Sequence, residues 1–531
     1  MRVLVSDNLG PAGIEMLQAE EGIDVDVRTG LAPAELAAII DGYDGLIIRS
    51  ATCVTEDLLA SAPRLKVVGR AGIGLDNVDI PAATRHGVVV MNTPDGNVIT
   101  TAEHAIAMLM ALARNVPQGT ASLRAGRWDK KLLQGQEVFG KTLGVIGFGK
   151  IGSTVADRAR GLHLRVLVHD PHVTPERIAE AGFEAVSLEE LYARSDFITI
   201  HVPKLKETVG LIDRAAFARM KDGVRLINCA RGGIVREDDL YAAMADGKVA
   251  GAALDVFAAE PPGDAPLIAL ERLICTPHLG AATQEAQTNV AVAVVKQIIA
   301  FLKEGVVVNA VNAPSVTGDL LARLRPFLKL GAQIGCLLPQ LVTGPIKEVA
   351  IAYSGDFQGL DMAPVTTAIL KGILTPTVKD VVNSVNAALL AKGRGITVTA
   401  TASSESDEFL NLITVRLVTT AMESQVAGTI YGKTDSRIVR INKFRLEMIP
   451  MAHMALIHNV DRPGAIGSIG TTLGNHDINI GRMQVGQEEE GNRNIVFLST
   501  DTAIPDAVLE ELRQLPLVKT VTPLEFLECR G

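Results

Sequence analysis

No run of 18 apolar residues occurs in the 531-residue chain, so no segment reads as a membrane span. Long basic blocks are missing too. With 51 Lys and Arg against 60 Asp and Glu, the formal charge is −9, which argues against nucleic acid as the main partner. Cysteine is scarce: Cys53, Cys229, Cys275, Cys336 and Cys529 are scattered without metal-ligand spacing. They are expected to be reduced, mostly buried thiols in a reducing compartment, the cytoplasm, and no metal site is expected. The opening Met1-Arg-Val-Leu-Val-Ser-Asp7 reads as a strand, not as a signal or transit segment. Tryptophan occurs once, as Trp128 in the basic stretch Arg127–Lys131, an exposed arm or an interface segment. What remains is 47% hydrophobic and 21% charged, the composition of a globular chain long enough for several domains.

The most informative stretch is Leu143-Gly-Val-Ile-Gly-Phe-Gly-Lys-Ile-Gly152. A short buried strand leads into Gly147-x-Gly149-x-x-Gly152, and Ile151 to Arg160 reads as a helix. A dinucleotide site needs this order: the first glycine turns the chain, the second admits the pyrophosphate to the backbone, and the third lets helix pack on strand. The phosphates then meet the free N–H groups of the helix start, among them those of Lys150 and Ile151. The next strand, Arg165–His169, ends at Asp170, whose carboxylate can accept the adenosine ribose hydroxyls and would repel a 2′-phosphate. These features point to NAD. The competing reading is a structural strand–turn–helix with a surface aspartate.

Residues 1 to about 98 alternate short β-branched runs with helical stretches, which implies a parallel sheet covered on both faces. Two strand ends carry arginines beside small residues, Arg49 before Ser50-Ala51 and Arg70 before Ala71-Gly72-Ile73-Gly74. Such ends are where ligands bind in open α/β sheets, although one arginine at a strand exit is usually only solvated. Thr101 to Arg114 reads as a long apolar helix leading into the fingerprint domain. After Asp170 the alternation resumes, with a capping box at Ser187–Glu190 and strands that end at His201-Val-Pro203, Cys229-Ala-Arg231, Asp255 to Glu260, and Pro277-His278-Leu-Gly280. A helix from about 283 to 303 plausibly returns to the first domain. Residues 309–317 read as a linker, and those from about 318 to 451 as a separate α+β unit with few helix signals after Leu338. The last unit has the order β-α-β-β-α-β of ferredoxin-like domains.

Arg231, Asp255, Glu260 and His278 lie at neighbouring strand ends and converge on one crevice. A nicotinamide enzyme needs a proton carrier, a cation for the substrate and a group that tunes the carrier. His278 suits the first role, Glu260 could stabilise its protonated form, and Arg231 offers a fork for a carboxylate. Asp255 could accept from the nicotinamide carboxamide. A lone histidine is as readily a core residue bonded to backbone; the neighbours favour catalysis.

The set Gly147–Gly152, Asn228-Cys-Ala-Arg231-Gly-Gly, Asp255-Val-Phe-Ala-Ala-Glu260-Pro and Thr276-Pro-His278-Leu-Gly280 resembles the D-isomer-specific 2-hydroxyacid dehydrogenases. Ile48–Thr52 and Gly69–Asp79 narrow the resemblance to members acting on 3-phosphoglycerate, in their long form. It implies an α/β fold of two doubly wound parallel-sheet domains, a flavodoxin-like substrate domain (residues 1–98 and 287–312) and a Rossmann cofactor domain (99–286). An α+β intervening domain (316–451) and a ferredoxin-like ACT domain (452–531) would follow. The implied activity is NAD-dependent oxidation of D-3-phosphoglycerate to 3-phosphohydroxypyruvate, opening the phosphorylated route to L-serine. The implied catalytic residues are Arg231, Glu260 and His278. Arg49, Arg70 and Asn97 would meet the substrate, and Gly147, Gly149, Lys150, Ile151, Gly152, Asp170, His201, Pro203, Cys229, Asp255, His278 and Gly280 the cofactor. Asn459, Asp461 and Asn479 would bind L-serine as effector. A homo-oligomer, tetramer or dimer, is implied, with Lys130 or Lys131 reaching a neighbouring subunit's site. Two alternatives stay open: a glyoxylate or hydroxypyruvate reductase of the same family, and a non-catalytic dinucleotide-sensing protein.

Overall fold

The computed structural model describes all residues except 315–317, 358, 379–380, 406–407, 489–492 and 527–531. Five short strands open the chain: β1 (Arg2–Val5), β2 (Asp24–Val27), β3 (Gly45–Ile48), β4 (Val67–Arg70) and β5 (Val89–Asn92). All pair in parallel, in the order β2-β1-β3-β4-β5, the flavodoxin-like order. The register Ile48↔Arg70 and Arg70↔Asn92 brings three strand ends level, so the segments that follow leave from one edge.

Alternation along these strands makes both faces apolar. Leu46, Ile48, Val68 and Val90 pack on one face. Val3, Val5, Ile47, Val67 and Val89 pack on the other, under Val290, Ala291, Val294, Val295 and Ile298 of the helix Gln284–Glu304. That helix starts where the Thr283 side chain accepts from the Ala286 N–H and stops at Gly305 with φ 70°. Beyond it, Ala310 bridges Met91, and Asn312 accepts from Val90 N–H at 2.9 Å.

The helix Val98–Arg114 leads from the first sheet to the second. The second sheet comprises β6 (Thr142–Ile146), β7 (Arg165–His169), β8 (Glu184–Ala185), β9 (Phe197–Ile200), β10 (Val224–Asn228), β11 (Val249–Leu254) and β12 (Leu273–Cys275). Its order, β12-β11-β10-β9-β6-β7-β8, reverses between β6 and β9. A doubly wound sheet opens a crevice at that switch point, and the glycine fingerprint follows β6.

The middle of the chain forms β13 (Ile346–Gly355), β14 (Thr397–Ser403), β15 (Asn411–Thr419), β16 (Glu423–Tyr431), β17 (Asp435–Ile441) and β18 (Phe444–Met448). Two helices here, Ala363–Leu374 and Ala387–Gly393, depart from the helix-poor sequence reading of this region. Ala363–Leu374 is rich in β-branched residues, which weakens the local helix signal. Burial of Val365, Ile369, Leu370, Ile373 and Leu374 along one face overrides that preference. One loop of this region reaches the first domain: Asn383 Nδ2 donates to the Gly87 carbonyl at 2.7 Å, and Val385 joins the first domain's core.

The tail runs β19 (His453–Val460), helix Ala465–Asn475, β20 (Ile480–Glu488), β21 (Arg493–Thr500), helix Asp506–Gln514 and β22 (Val518–Glu525), in ferredoxin-like order. Its sheet does not stand alone. β20 pairs with β18 at Phe444↔Glu488 and Arg445↔Gln487, so middle and tail share one ten-stranded sheet, β14-β13-β15-β16-β17-β18-β20-β21-β19-β22.

The thiols differ from expectation. Cys53 and Cys275 are exposed and Cys229 is buried, whereas Cys336 is disulfide-bonded. Cys529 and the end of the 309–317 linker lie outside the described residues. No helix among the described residues is long and apolar enough to cross a membrane.

Candidate active site

Two sets of strand ends face each other across the crevice. From the second sheet, β6 ends in a turn where Gly147 has φ 94°, a left-handed value that glycine adopts without strain. A β-carbon on Gly152 would sit 2.0 Å from the Gly147 carbonyl oxygen, so the fingerprint helix Lys150–Gly161 packs on the turn only with glycine there. A β-carbon on Gly149 would meet nothing within 4 Å, so open space lies over that backbone. Asp170, after β7, reaches back to the turn: its Oδ2 accepts from Phe148 N–H at 2.7 Å and its Oδ1 from His172 N–H at 2.8 Å. Lys150 pairs with Asp95 of the facing domain. These features fit a dinucleotide: a cleared backbone for the pyrophosphate, a helix start, and a carboxylate at the ribose position.

His201, after β9, lies behind the turn, its Nε2 2.9 Å from Thr199 Oγ1. Burial lowers its pKa to about 4, so it stays neutral at physiological pH. Burial also pushes the Cys229 thiol up, away from reactivity.

His278 lies beyond β12, and its Nδ1 is 2.7 Å from Glu260 Oε2. The other Glu260 oxygen accepts from Phe257 N–H at 3.1 Å. Gly232, next to Arg231, packs so tightly on Phe257 that a β-carbon would fall 1.7 Å from that carbonyl oxygen. The loops carrying Arg231, Glu260 and His278 are therefore in direct succession. Asp255 is 1% exposed. Its Oδ1 accepts from Thr276 Oγ1 at 2.6 Å and Leu279 N–H at 2.7 Å, and its Oδ2 from Gly280 N–H at 2.8 Å. His104 Nε2 stands 3.2 Å from Oδ1. Burial alone would raise the Asp255 carboxyl; bonds from His104, Thr276 and Leu279 outweigh it and hold it below the ordinary range. Oδ1 is thus fully engaged, while Oδ2 takes a single donor and keeps a lone pair to offer.

From the first sheet, the ends of β3 and β4 present Arg49 and Arg70. The Arg49 guanidinium donates to the Asn8 carbonyl at 2.9 Å. Its backbone is fixed by Asp7, whose Oδ2 also accepts from Ala51 and Thr52 N–H. Arg70 is half-buried, and its Nε is buried without a partner. Burial, with repulsion from Arg231 and Arg49, lowers its pKa to about 10, against which Asp76 pulls it up. Arg231 Nε donates across the crevice to Asp76 Oδ2 at 2.8 Å. The Arg70 and Arg231 guanidinium groups thus flank the loop 71–76, with Arg49 close enough to repel Arg70. Asn97 starts the helix Val98–Arg114, and its buried Oδ1 is unpartnered. Asp7, Asp76 and His104 were not singled out by sequence. Asp7 ends β1 and Asp76 lies in the Gly72–Asp79 run, signals that were present; nothing local marks His104.

In the tail, Asn459 is buried with its Oδ1 unpartnered. Asp461 is exposed in the turn before Gly464, and Asn479 Nδ2 donates to Asp501 at 2.9 Å.

Fold and site together define an NAD-dependent dehydrogenase of the 2-hydroxyacid type. Residues 106–280 match the D-isomer specific 2-hydroxyacid dehydrogenase NAD binding domain, 323–442 the D-3-phosphoglycerate dehydrogenase intervening domain, and 453–517 the ACT domain. The chain is 43% identical to D-3-phosphoglycerate dehydrogenase of Bacillus subtilis, over 99% of each chain. It is 40% identical to that of Methanocaldococcus jannaschii, over 99% of this chain and 100% of the other. The chain belongs to the D-3-phosphoglycerate dehydrogenase family. Among solved structures, D-lactate dehydrogenase from Aquifex aeolicus, complexed with NAD and lactic acid, is 29% identical with a TM-score of 0.53, covering 59% of this chain and 100% of that one. TT0316 protein from Thermus thermophilus is 36% identical with a TM-score of 0.55, over 59% and 100%.

Proposed function

We propose that the protein oxidises D-3-phosphoglycerate to 3-phosphohydroxypyruvate with NAD, the first step of the phosphorylated route to L-serine. The observation that carries this reading is the grouping of Arg49, Arg70 and Arg231 at the crevice, with the buried Nε of Arg70 unpartnered. A substrate bearing both a carboxylate and a phosphate needs that much positive charge. Glyoxylate and hydroxypyruvate carry no phosphate, so a reductase for them leaves the cluster unexplained. A purely sensory protein leaves the His278–Glu260 pair unexplained.

Arg231 takes the substrate carboxylate, and Arg49 and Arg70, with Asn97 nearby, the phosphorylated end. Nδ1 of His278 is spent on Glu260, which leaves Nε2 to accept the hydroxyl proton as the carbonyl forms. Glu260 stabilises the imidazolium that results. Gly147, Gly149, Lys150, Ile151 and Gly152 hold the pyrophosphate and Asp170 the ribose. His201, Pro203, Cys229, Asp255 and Gly280 line the remainder of the cofactor cleft. NAD, when bound, supplies the hydride acceptor.

The domain division follows the same reading: a substrate domain from residues 1–98 and 287–312, a cofactor domain (99–286), an intervening domain (316–451) and an ACT domain (452–531). The ACT domain binds L-serine through Asn459, Asp461 and Asn479. The protein works as a homo-oligomer, supported by an apolar surface where Trp128 is 80% and Leu132 84% exposed. Lys130 and Lys131, also exposed beside it, reach toward a neighbouring site.

Turnover with 3-phosphoglycerate against glycerate and glycolate, each with NAD and NADP, tests the assignment. Selective oxidation of 3-phosphoglycerate with NAD is expected; equal rates on glycerate would remove it.

A further inference from the structure

The helix Val98–Arg114 grips the His278 loop at three points within about one turn. Thr100 Oγ1 lies 3.2 Å from Thr283 Oγ1, and Thr101 Oγ1 donates to the Gly280 carbonyl at 3.0 Å. His104 Nε2 lies 3.2 Å from both Thr276 Oγ1 and Asp255 Oδ1. Thr276 Oγ1 already donates its proton to Asp255, so His104 Nε2 carries the proton here: it donates to Thr276 Oγ1 with Asp255 Oδ1 at ion-pair distance, and braces the Thr276–Asp255 pair.

What Asp255 holds is a strained turn. His278 has φ 55°, a left-handed value that a residue with a β-carbon keeps only where its surroundings enforce it. The enforcement comes largely from Asp255. Its carbonyl accepts from His278 N–H at 3.0 Å, and its carboxylate accepts from the next two N–H groups, Leu279 and Gly280. The buried carboxylate thus sets the backbone on which His278 is aimed, and His104, from the helix linking the two parallel-sheet domains, reaches it.

We propose that His104 is a positioning residue for the reaction. Through Asp255 it holds the 276–280 turn in the conformation that presents His278 to the substrate, and it ties that turn to the linking helix. It touches neither substrate nor reacting atoms. The inference rests on His278 as proton carrier.

The test uses the full-length enzyme with His104→Leu, which removes the donor, and His104→Gln, which restores an N–H at similar reach. Steady-state kinetics with 3-phosphoglycerate and NADH affinity by fluorescence titration are both read. The expectation for His104→Leu is a kcat lower by about 10- to 100-fold, the usual cost of a misplaced reacting group. KM stays within about threefold, because no arginine of the site is altered, and NADH Kd, set chiefly by the untouched fingerprint contacts, changes by less than kcat although Asp255 and Gly280 border the cofactor cleft. His104→Gln recovers kcat to within about threefold of wild type. A kcat loss under tenfold, a loss falling on KM or NADH affinity instead, or an equal loss in His104→Gln would overturn the proposal. Should His104→Leu fail to fold, His104→Asn, too short to reach Asp255, is judged by the same limits. His278→Ala, expected to lose about 10²–10⁴-fold in kcat, separates the two readings: its activity intact, the site assignment falls; its activity lost with His104→Leu normal, only the role of His104 falls.

Discussion

Arg231 donates from Nε to the Asp76 carboxylate at 2.8 Å, joining residues 155 positions apart and from opposite domains. The fork that should hold the substrate carboxylate is thus already oriented by an acid of the facing domain. Asp76 carries negative charge next to where a multiply charged anion must bind. Asp76→Asn keeps an acceptor for Nε and removes that charge. KM for 3-phosphoglycerate should fall by about two- to tenfold, in line with the loss of one like charge at a few ångströms in a solvated cleft. A rise in KM on salt titration-matched assays would show that the full ion pair is needed to aim Arg231.

The fingerprint glycines should separate folding from cofactor binding. The β-carbon of Gly149→Ala meets only open space in the protein, so this variant should melt within a few degrees of wild type while NADH binding weakens at least tenfold. Gly152→Ala drives a methyl into the Gly147 carbonyl and should lower Tm as well. Thermal melts with and without NADH check both; normal NADH affinity in Gly149→Ala would move the pyrophosphate elsewhere.

Arg49→Ala and Arg70→Ala should each raise KM for 3-phosphoglycerate more than for glycerate, by about ten- to a hundredfold, as for a lost charge-assisted contact. Parallel assays on the two substrates decide; equal losses on both would make these arginines structural.

Asp255 gives a pH-dependent stability. Its folded pKa lies below the ordinary 3.8, so its contribution is fully present above about pH 4 and fades as pH falls through the folded value. Asp255→Asn, which turns an acceptor into a donor facing the Gly280 N–H, should cost about 1–3 kcal/mol at pH 7. Urea melts of both proteins at several pH values should show the gap narrowing below about pH 4. A gap that is constant with pH would assign the loss to packing.

L-Serine should inhibit wild type, more weakly Asp461→Ala and Asn479→Ala, and not at all a chain ending near Asn312. Inhibition of this kind needs serine to bind one domain arrangement better than another. No inhibition of wild type at millimolar serine, with no binding by calorimetry, would end the effector claim and leave the dehydrogenase reading intact.

Much of the fold was legible because its signals are local. Leu143–Gly152 and Asp170 stand in one βαβ unit, and the tail strands and helices follow the expected β-α-β-β-α-β order. His278 and Glu260 were legible as a motif, 18 residues apart. What escaped was long-range or overridden. Asp76 and Arg231 meet only after two domains close on each other. His104 reads as one position of an apolar helix until β12 brings Thr276 beside it. The β18–β20 junction is two residue pairs long among the described residues and leaves no compositional trace. The helix Ala363–Leu374 forms against its own residue preferences because its buried face outweighs them.

The return of residues 284–312 to the first sheet sets the order in which the chain can fold as it is made. Val90 waits for Asn312, 222 residues further on, a delay of about 10–40 s at ordinary rates of synthesis. Throughout that interval the face that carries Val3, Val5, Val67 and Val89 has only the helix Pro11–Gln18, through Ile14 and Leu17, to cover it, while β6 to β12 emerge and form a sheet of their own. The domain begun first is finished second. The part of its face that Val290, Val294 and Ile298 cover stays open until the helix Gln284–Glu304 has been made, so a chain cut before residue 284 should keep the first sheet with one face incomplete.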